Sequence, residues 1–182
     1  MKYRIMLLLG SFLVLSTLAF SPYLTKESTK LQHIKPESDS LIVPGEKHFK
    51  NMKMLTNGGE NAEAYFSFDG TKIIFQTTRE PYECDQIFIM NADGSDQHLV
   101  SSGKGRTTCS YFYPDGKHIL YASTHLGGDN CPTKPDQSKG YVWAIYNDYD
   151  IFKASTDGSD PVKLTDVKAY DAEATISPKG DR

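Results

Sequence analysis

The chemistry open to this 182-residue chain is limited by what it lacks. There is no Gly-x-Ser-x-Gly elbow, no phosphate-cradling glycine loop ending in Lys-Ser/Thr, no dinucleotide fingerprint and no His-Glu-x-x-His pair. His125, Asp129, Asp136 and Asp171 with Glu173 could gather around a cation, but no EF-hand-like spacing joins them. The expectation is therefore no metal and no other cofactor. What remains is recognition chemistry. Residues 124–150 hold the single tryptophan, Trp143, close to Tyr141, Tyr146 and Tyr149, and large rings of this kind anchor interfaces. His125, Trp143, Tyr146, Tyr149, Asp171 and Glu173 are the candidate binding residues, and none is assigned a catalytic role.

A repeat has to position these residues. Asn61–Gly70, Thr107–Gly116 and Asp171–Gly180 align without gaps. Gly70 and Gly116 lie 46 residues apart, and Gly116 and Gly180 lie 64 apart. Asn91–Asp96 recurs as Ser155–Asp160, also 64 residues on, so the longer spacing comes from one insertion between Gly94 and Gly158. Each unit reads as four short strands; in the first these are Ala62–Phe68, Lys72–Thr77, Gln86–Asn91 and His98–Ser101. An Asp-Gly between two apolar runs marks a hairpin, because glycine accepts positive φ without steric cost. Ile73-Ile74-Phe75 and Ile87-Phe88-Ile89 are apolar at consecutive positions, which predicts strands buried on both faces. Four-stranded antiparallel sheets stacked on copies of themselves satisfy that pattern, and the period is that of propeller blades. The fold class is all-β.

The chain resembles the TolB-like β-propeller repeat family. The resemblance rests on a Phe-Ser-Pro-Asp-Gly-Lys type turn, an Ile-hydrophobic-Phe strand, an Ile-hydrophobic-Met strand and Asp-Gly-Ser ahead of a closing Leu-Thr. Leu55-Thr56, Leu99-Val100 and Leu164-Thr165 are taken as the closing positions. Phe68, Tyr113 and Lys179 depart from the pattern, standing where Pro, Ser and Asp are usual. The similarity covers roughly residues 50–182. It implies that the N-terminal strand at Leu55-Thr56 completes a last blade. It also implies a separate α/β domain ahead of the propeller, for which the short stretch before the repeats has no room.

The repeat sorts the loops onto two rims. Glu60–Glu63, Glu80–Asp85, Gly103–Cys109, the insertion His125–Tyr149 and Tyr170–Glu173 fall on one rim, and the Asp-Gly turns on the other. All three cysteines, Cys84, Cys109 and Cys131, then share the first rim, where one disulfide from Cys109 to Cys131 or to Cys84 is expected; three free thiols are the competing reading. Glu63 and Glu173 share one repeat position. They are read as acceptors for backbone amides in successive blades, ahead of a carboxylate pair near the axis. The chain supplies one whole blade (about 61–101), a second with the insertion (about 107–167) and one strand of a third. An incomplete propeller of about two blades plus flanking strands is expected, since a ring needs about four blades.

Lys2 and Arg4 precede an apolar run from Ile5 to Phe20, which reads as a signal peptide over residues 1–19 with cleavage after Ala19. Residues 20–48, carrying Pro22, Pro36 and Pro44, read as a flexible lead-in, and 49–182 as the partial propeller. Sixteen apolar-run residues fall short of the roughly 20 that a spanning helix needs, so no integral membrane span is expected after cleavage. The net charge of −3, with no basic cluster, argues against nucleic acid as a partner. The leading expectation is an exported, periplasmic or extracellular, non-catalytic module that mediates protein or cell-envelope interactions. The alternative is the propeller portion of a longer exported hydrolase of the prolyl-oligopeptidase kind, or of a lyase.

Overall fold

A computed structural model describes residues 41–182. The expected signal peptide and most of the lead-in lie outside the described residues. The described residues form two four-stranded antiparallel sheets and no α-helix. The first sheet runs β1 (Glu60–Phe66), β2 (Lys72–Thr78), β3 (Gln86–Asn91) and β4 (His98–Leu99) in spatial order. The second runs β5 (Thr107–Phe112), β6 (His118–Ser123), β7 (Asp150–Ser155) and β8 (Val162–Lys163). Among these residues no helix is long and apolar enough to cross a membrane.

The hairpins form where glycine lets the chain reverse. Gly70, Gly94, Gly116 and Gly158 have φ of 70°, 89°, 65° and 83°, values that cost L side chains strain. The preceding aspartates tie each turn. Asp69 Oδ1 accepts from Ser67 Oγ at 2.6 Å and from the Thr71 amide at 3.0 Å. Asp93 and Asp157 accept in the same way from the amides of Ser95 and Ser159, both at 2.9 Å.

Register then sends alternate residues to opposite faces. In the β2–β3 pair, Ile74 lies opposite Ile89, while Ile73 and Phe75 lie opposite Met90 and Phe88. Ile74, Ile87 and Ile89 join Val100, Phe112, Ile119, Tyr121 and Phe152 in one buried cluster shared by both sheets. Ile73, Phe75, Phe88 and Met90 form a second cluster against Leu55, Tyr82 and Leu99. Leu120, Ala122, Tyr149 and Ile151 form a third, with Ala172, Ala174 and Ile176 laid over it. The apolar runs are thus buried on both faces, which is the physical content of blade stacking.

The N-terminal and closing segments differ from expectation in detail. Leu55-Thr56 forms no strand; Leu55 packs on the first sheet and its carbonyl accepts from Gln97 Nε2 at 2.7 Å. Val100 takes the equivalent place on the second sheet: a Cβ at Gly158 would meet Val100 O at 2.6 Å, as one at Gly94 would meet Leu55 O at 3.1 Å. The closing pair of the first full unit is therefore Val100-Ser101, one residue beyond the expected Leu99-Val100. Ser101 Oγ accepts from the Ile87 amide and Thr165 Oγ1 from the Ile151 amide, both at 3.0 Å. The shift arises because the hydroxyl, not the leucine, is what the third strand of each blade needs at its start.

Candidate functional site

The innermost strands carry a defect that recurs. The β1–β2 register slips between Ala62 and Tyr65, and the β5–β6 register slips between Thr108 and Tyr111. The residues inside these bulges, Glu63 and Cys109, have φ of 51° and 54°, and Glu173 at the same position of the next unit has 61°. Non-glycine residues rarely hold this conformation, and three successive copies of it mark a built feature. All three residues line one cavity of about 480 Å³.

The floor of the cavity is polar. Glu173 Oε1 accepts a hydrogen bond from Cys109 Sγ at 3.1 Å, and Glu63 Oε2 accepts one from Tyr65 Oη at 2.9 Å. Burial pushes the Cys109 thiol up to about 11, so it is a neutral donor near neutral pH. Gln76 Oε1 accepts from the Cys109 amide at 3.0 Å and fixes the bulge from the neighbouring sheet. At one side Arg106 Nε stands 3.6 Å from Asp85 Oδ2. The expectation that Glu63 and Glu173 satisfy backbone amides does not describe these contacts: the donors are a phenol and a thiol.

The insertion roofs the cavity with rings. Trp143, 63% exposed, donates its indole N–H to Tyr170 Oη at 3.1 Å. Tyr146 is half-buried, and its hydroxyl donates to the Thr133 carbonyl. Tyr149, only 4% exposed, belongs to the third buried cluster and stands edge-on to Tyr170 at 5.5 Å between centroids. Burial raises its phenol well above the usual tyrosine range.

Of the six candidate binding residues, Trp143, Tyr146, Tyr149 and Glu173 line this cavity, whereas His125 and Asp171 do not. The His125 ring packs 4.4 Å from that of Phe152, with Nδ1 2.9 Å from Ser123 Oγ, and burial lowers its pKa. Asp171 donates its amide to the Tyr149 carbonyl at 3.1 Å, which hangs the third unit from the second. Of the other wall residues, Asp85, Arg106 and Tyr170 lie in loops the repeat assigns to this rim, though not among the candidate binding residues, and Gln76 of β2 lies outside those loops. For Cys109 the signal was present, since it shares the repeat position of Glu63 and Glu173.

The expected disulfide partner needs correction. Cys84 bonds to Cys131, with Cα atoms 5.9 Å apart, and Cys109 is free and buried. Cys84 sits in the β2–β3 loop, beside the insertion of the next blade, whereas the bulge turns Cys109 toward Glu173. The bond clips the insertion to the first blade, and Lys104 supports it with an ion pair to Asp129 at 3.0 Å.

The chain resembles two solved structures. A protein assigned as TolB from Agrobacterium tumefaciens matches with a TM-score of 0.53 and 21% identity over 71% of this chain and 43% of its own. TolB from Acinetobacter baumannii matches with a TM-score of 0.51 and 20% identity over 69% of this chain and 26% of its own. The fold is that of a TolB-type propeller segment. The chain spans less than half the length of either structure. No family model matches it, and no curated protein does.

Proposed function

We propose that this chain is part of an exported, non-catalytic propeller module that binds a protein or cell-envelope partner at the rim bearing the insertion. The observation that carries this reading is the cavity itself: an insertion clipped by Cys84–Cys131 brings Trp143 and Tyr146 into a concave lining that also holds Glu63, Arg106 and Glu173. Large rings at the mouth of a rigid scaffold give contact area at little entropic cost. The opposite rim carries the Asp-Gly turns and a shallower concavity between Phe68 and Pro114, without the clipped insertion or its rings. The basic, then apolar, start of the sequence supports export to the periplasm or beyond. The disulfide fits an oxidising compartment.

A photo-crosslinking amino acid placed at position 143, and separately at the exposed position 117 on the opposite rim, tests both parts in intact cells. The expected result is a discrete adduct from position 143, recovered in the periplasmic or secreted fraction, with none from 117. Adducts from 117 alone, or recovery in the cytosol with Met1 intact, would defeat the reading.

A further inference from the structure

One buried donor in the cavity wall has no acceptor. Among the described residues two buried side-chain polar atoms lack a hydrogen-bond partner, Arg106 Nε and Ser110 Oγ, and only Arg106 lines the cavity. Its side chain is 20% exposed, and Asp85 Oδ2 at 3.6 Å is near enough for ion pairing but too far for a hydrogen bond. Leaving a buried donor unmet costs more than an ordinary hydrogen bond contributes. Asp85 Oδ1 accepts from Thr78 Oγ1 at 3.0 Å, whereas Oδ2 has no donor among the described residues. An unmet donor and an unmet acceptor thus stand side by side on the wall. A hydroxyl fits both, since one oxygen accepts from Nε and donates to Oδ2. A carbonyl or carboxylate on Nε would face Oδ2 acceptor to acceptor.

The rings are a second, independent observation. Tyr141 and Trp143 line the same cavity and are 77% and 63% exposed. Tyr170 Oη takes the Trp143 N–H, so the ring offers its apolar faces. A ligand that joins hydroxyls to an apolar C–H face uses the wall pair and the rings at once. The volume of about 480 Å³ falls within the small-molecule range of roughly 300–1,000 Å³.

We infer that this cavity receives a neutral saccharide unit, with one sugar hydroxyl bridging Arg106 Nε and Asp85 Oδ2 and a C–H face of the sugar against Trp143. The inference rests on the rim-recognition reading and takes a glycan, rather than a protein, as the partner. Acidic sugars are disfavoured, because Glu63, Asp85 and Glu173 outnumber Arg106 and Lys134 in the lining.

Trp143 is the single tryptophan of the chain, so its fluorescence reports occupancy of the cavity. The full chain is titrated with maltotriose, cellotriose and chitotriose. Trigalacturonate serves as the acidic counterpart, and a capped Ser-Tyr-Ser tripeptide carries hydroxyls and a ring on a peptide chain. The expected result is a saturable change with at least one neutral trisaccharide, and binding about tenfold or more weaker for the acidic sugar and the tripeptide. R106K places a methylene where arginine has its Nε–H and keeps the positive charge beside Asp85. It should weaken the saccharide about tenfold, as for loss of one charge-assisted hydrogen bond, with the melting temperature as the check on folding. W143A, read by calorimetry, removes an exposed ring and should weaken binding by a similar factor; it decides the matter if R106K does not fold. No saturable response to any neutral trisaccharide, preference for trigalacturonate or the tripeptide, or full affinity in folded R106K or in W143A would each overturn the inference. A protein adduct from position 143 without a saccharide response overturns it and leaves the rim-recognition reading standing. Saccharide binding that both variants weaken, in a chain recovered from the cytosol with Met1 intact, supports it and removes the export part of that reading.

Discussion

Glu63, Cys109 and Glu173 occupy one position in three successive units and share one backbone conformation, yet their side chains differ. The bulge is therefore a property of the repeat, and the chemistry it presents is set unit by unit. The aromatic residues divide by burial. Tyr149 is 4% exposed and packed with Leu120, Ala122 and Ile151, so Tyr149→Ala should cost about 3 kcal/mol, a value typical of truncating a buried ring. Trp143→Ala should change stability by less than about 1 kcal/mol, because the ring stands mostly in solvent. Denaturant melts of the two variants decide the matter; equal losses would mean that the insertion packs more tightly than described. The turn aspartates set the acid response. Hydrogen bonds from the Ser67 hydroxyl, the Thr71 amide and the Thr71 hydroxyl lower Asp69 to about 2, and Ser95 and Ser159 lower Asp93 and Asp157. An unfolded aspartate titrates near 3.9. Below that pH the unfolded chain binds protons first, so these turns contribute fully above it and lose their contribution as pH falls toward about 2. A thermal midpoint flat above roughly pH 5 and dropping below pH 4 is expected in a melt series.

At the scale of elements, the insertion and the blades are held together by different means. β2, β3, β6 and β7 are fixed by ladders and by burial on both faces. The insertion contains no strand, and the Cys84–Cys131 bond anchors it to the β2–β3 loop across 47 residues of sequence. Closing a loop of that length removes denatured-state entropy worth roughly 4 kcal/mol in the chain-entropy model. The double variant C84S/C131S should therefore lose about 2–4 kcal/mol of stability and become sensitive to protease within residues 126–147. Fragment mapping by mass spectrometry locates the cuts. Cleavage at the Asp-Gly hairpins instead would mean that the blades, not the insertion, depend on the bond.

At the scale of the molecule, the inter-sheet face is closed and the outer faces are only partly covered. Phe66 and Phe68 at the first sheet, and Val162, Leu164 and Val167 at the second, are half or more exposed, apart from Leu164 at 49%. Apolar surface of this extent on sheet faces favours association with further apolar surface. Residues 20–182 expressed alone should therefore self-associate with rising concentration, as sedimentation velocity would register. A monodisperse monomer across the concentration series would show that the faces are less sticky than their exposure implies.

The sequence by itself determined the features that local chemistry controls. Asp-Gly pairs reverse the chain wherever they fall, and runs such as Ile73-Ile74-Phe75 must be buried on both sides whatever lies beyond them. Hence the all-β class and the four-stranded antiparallel blades were legible from repeats alone. The tertiary structure decided what depends on residues brought together from far apart. Cys84 meets Cys131, and Cys109 meets Glu173 instead, because of how three successive units abut; no spacing in the chain encodes that choice. Tyr149 becomes core and Trp143 remains open for the same reason, although both belong to one aromatic cluster in sequence. Gln76 carries no signal in the sequence, and Asp85, Arg106 and Tyr170 are marked only by the loops that hold them; the packing of both sheets, the insertion and the segment after β8 makes them walls of a common cavity.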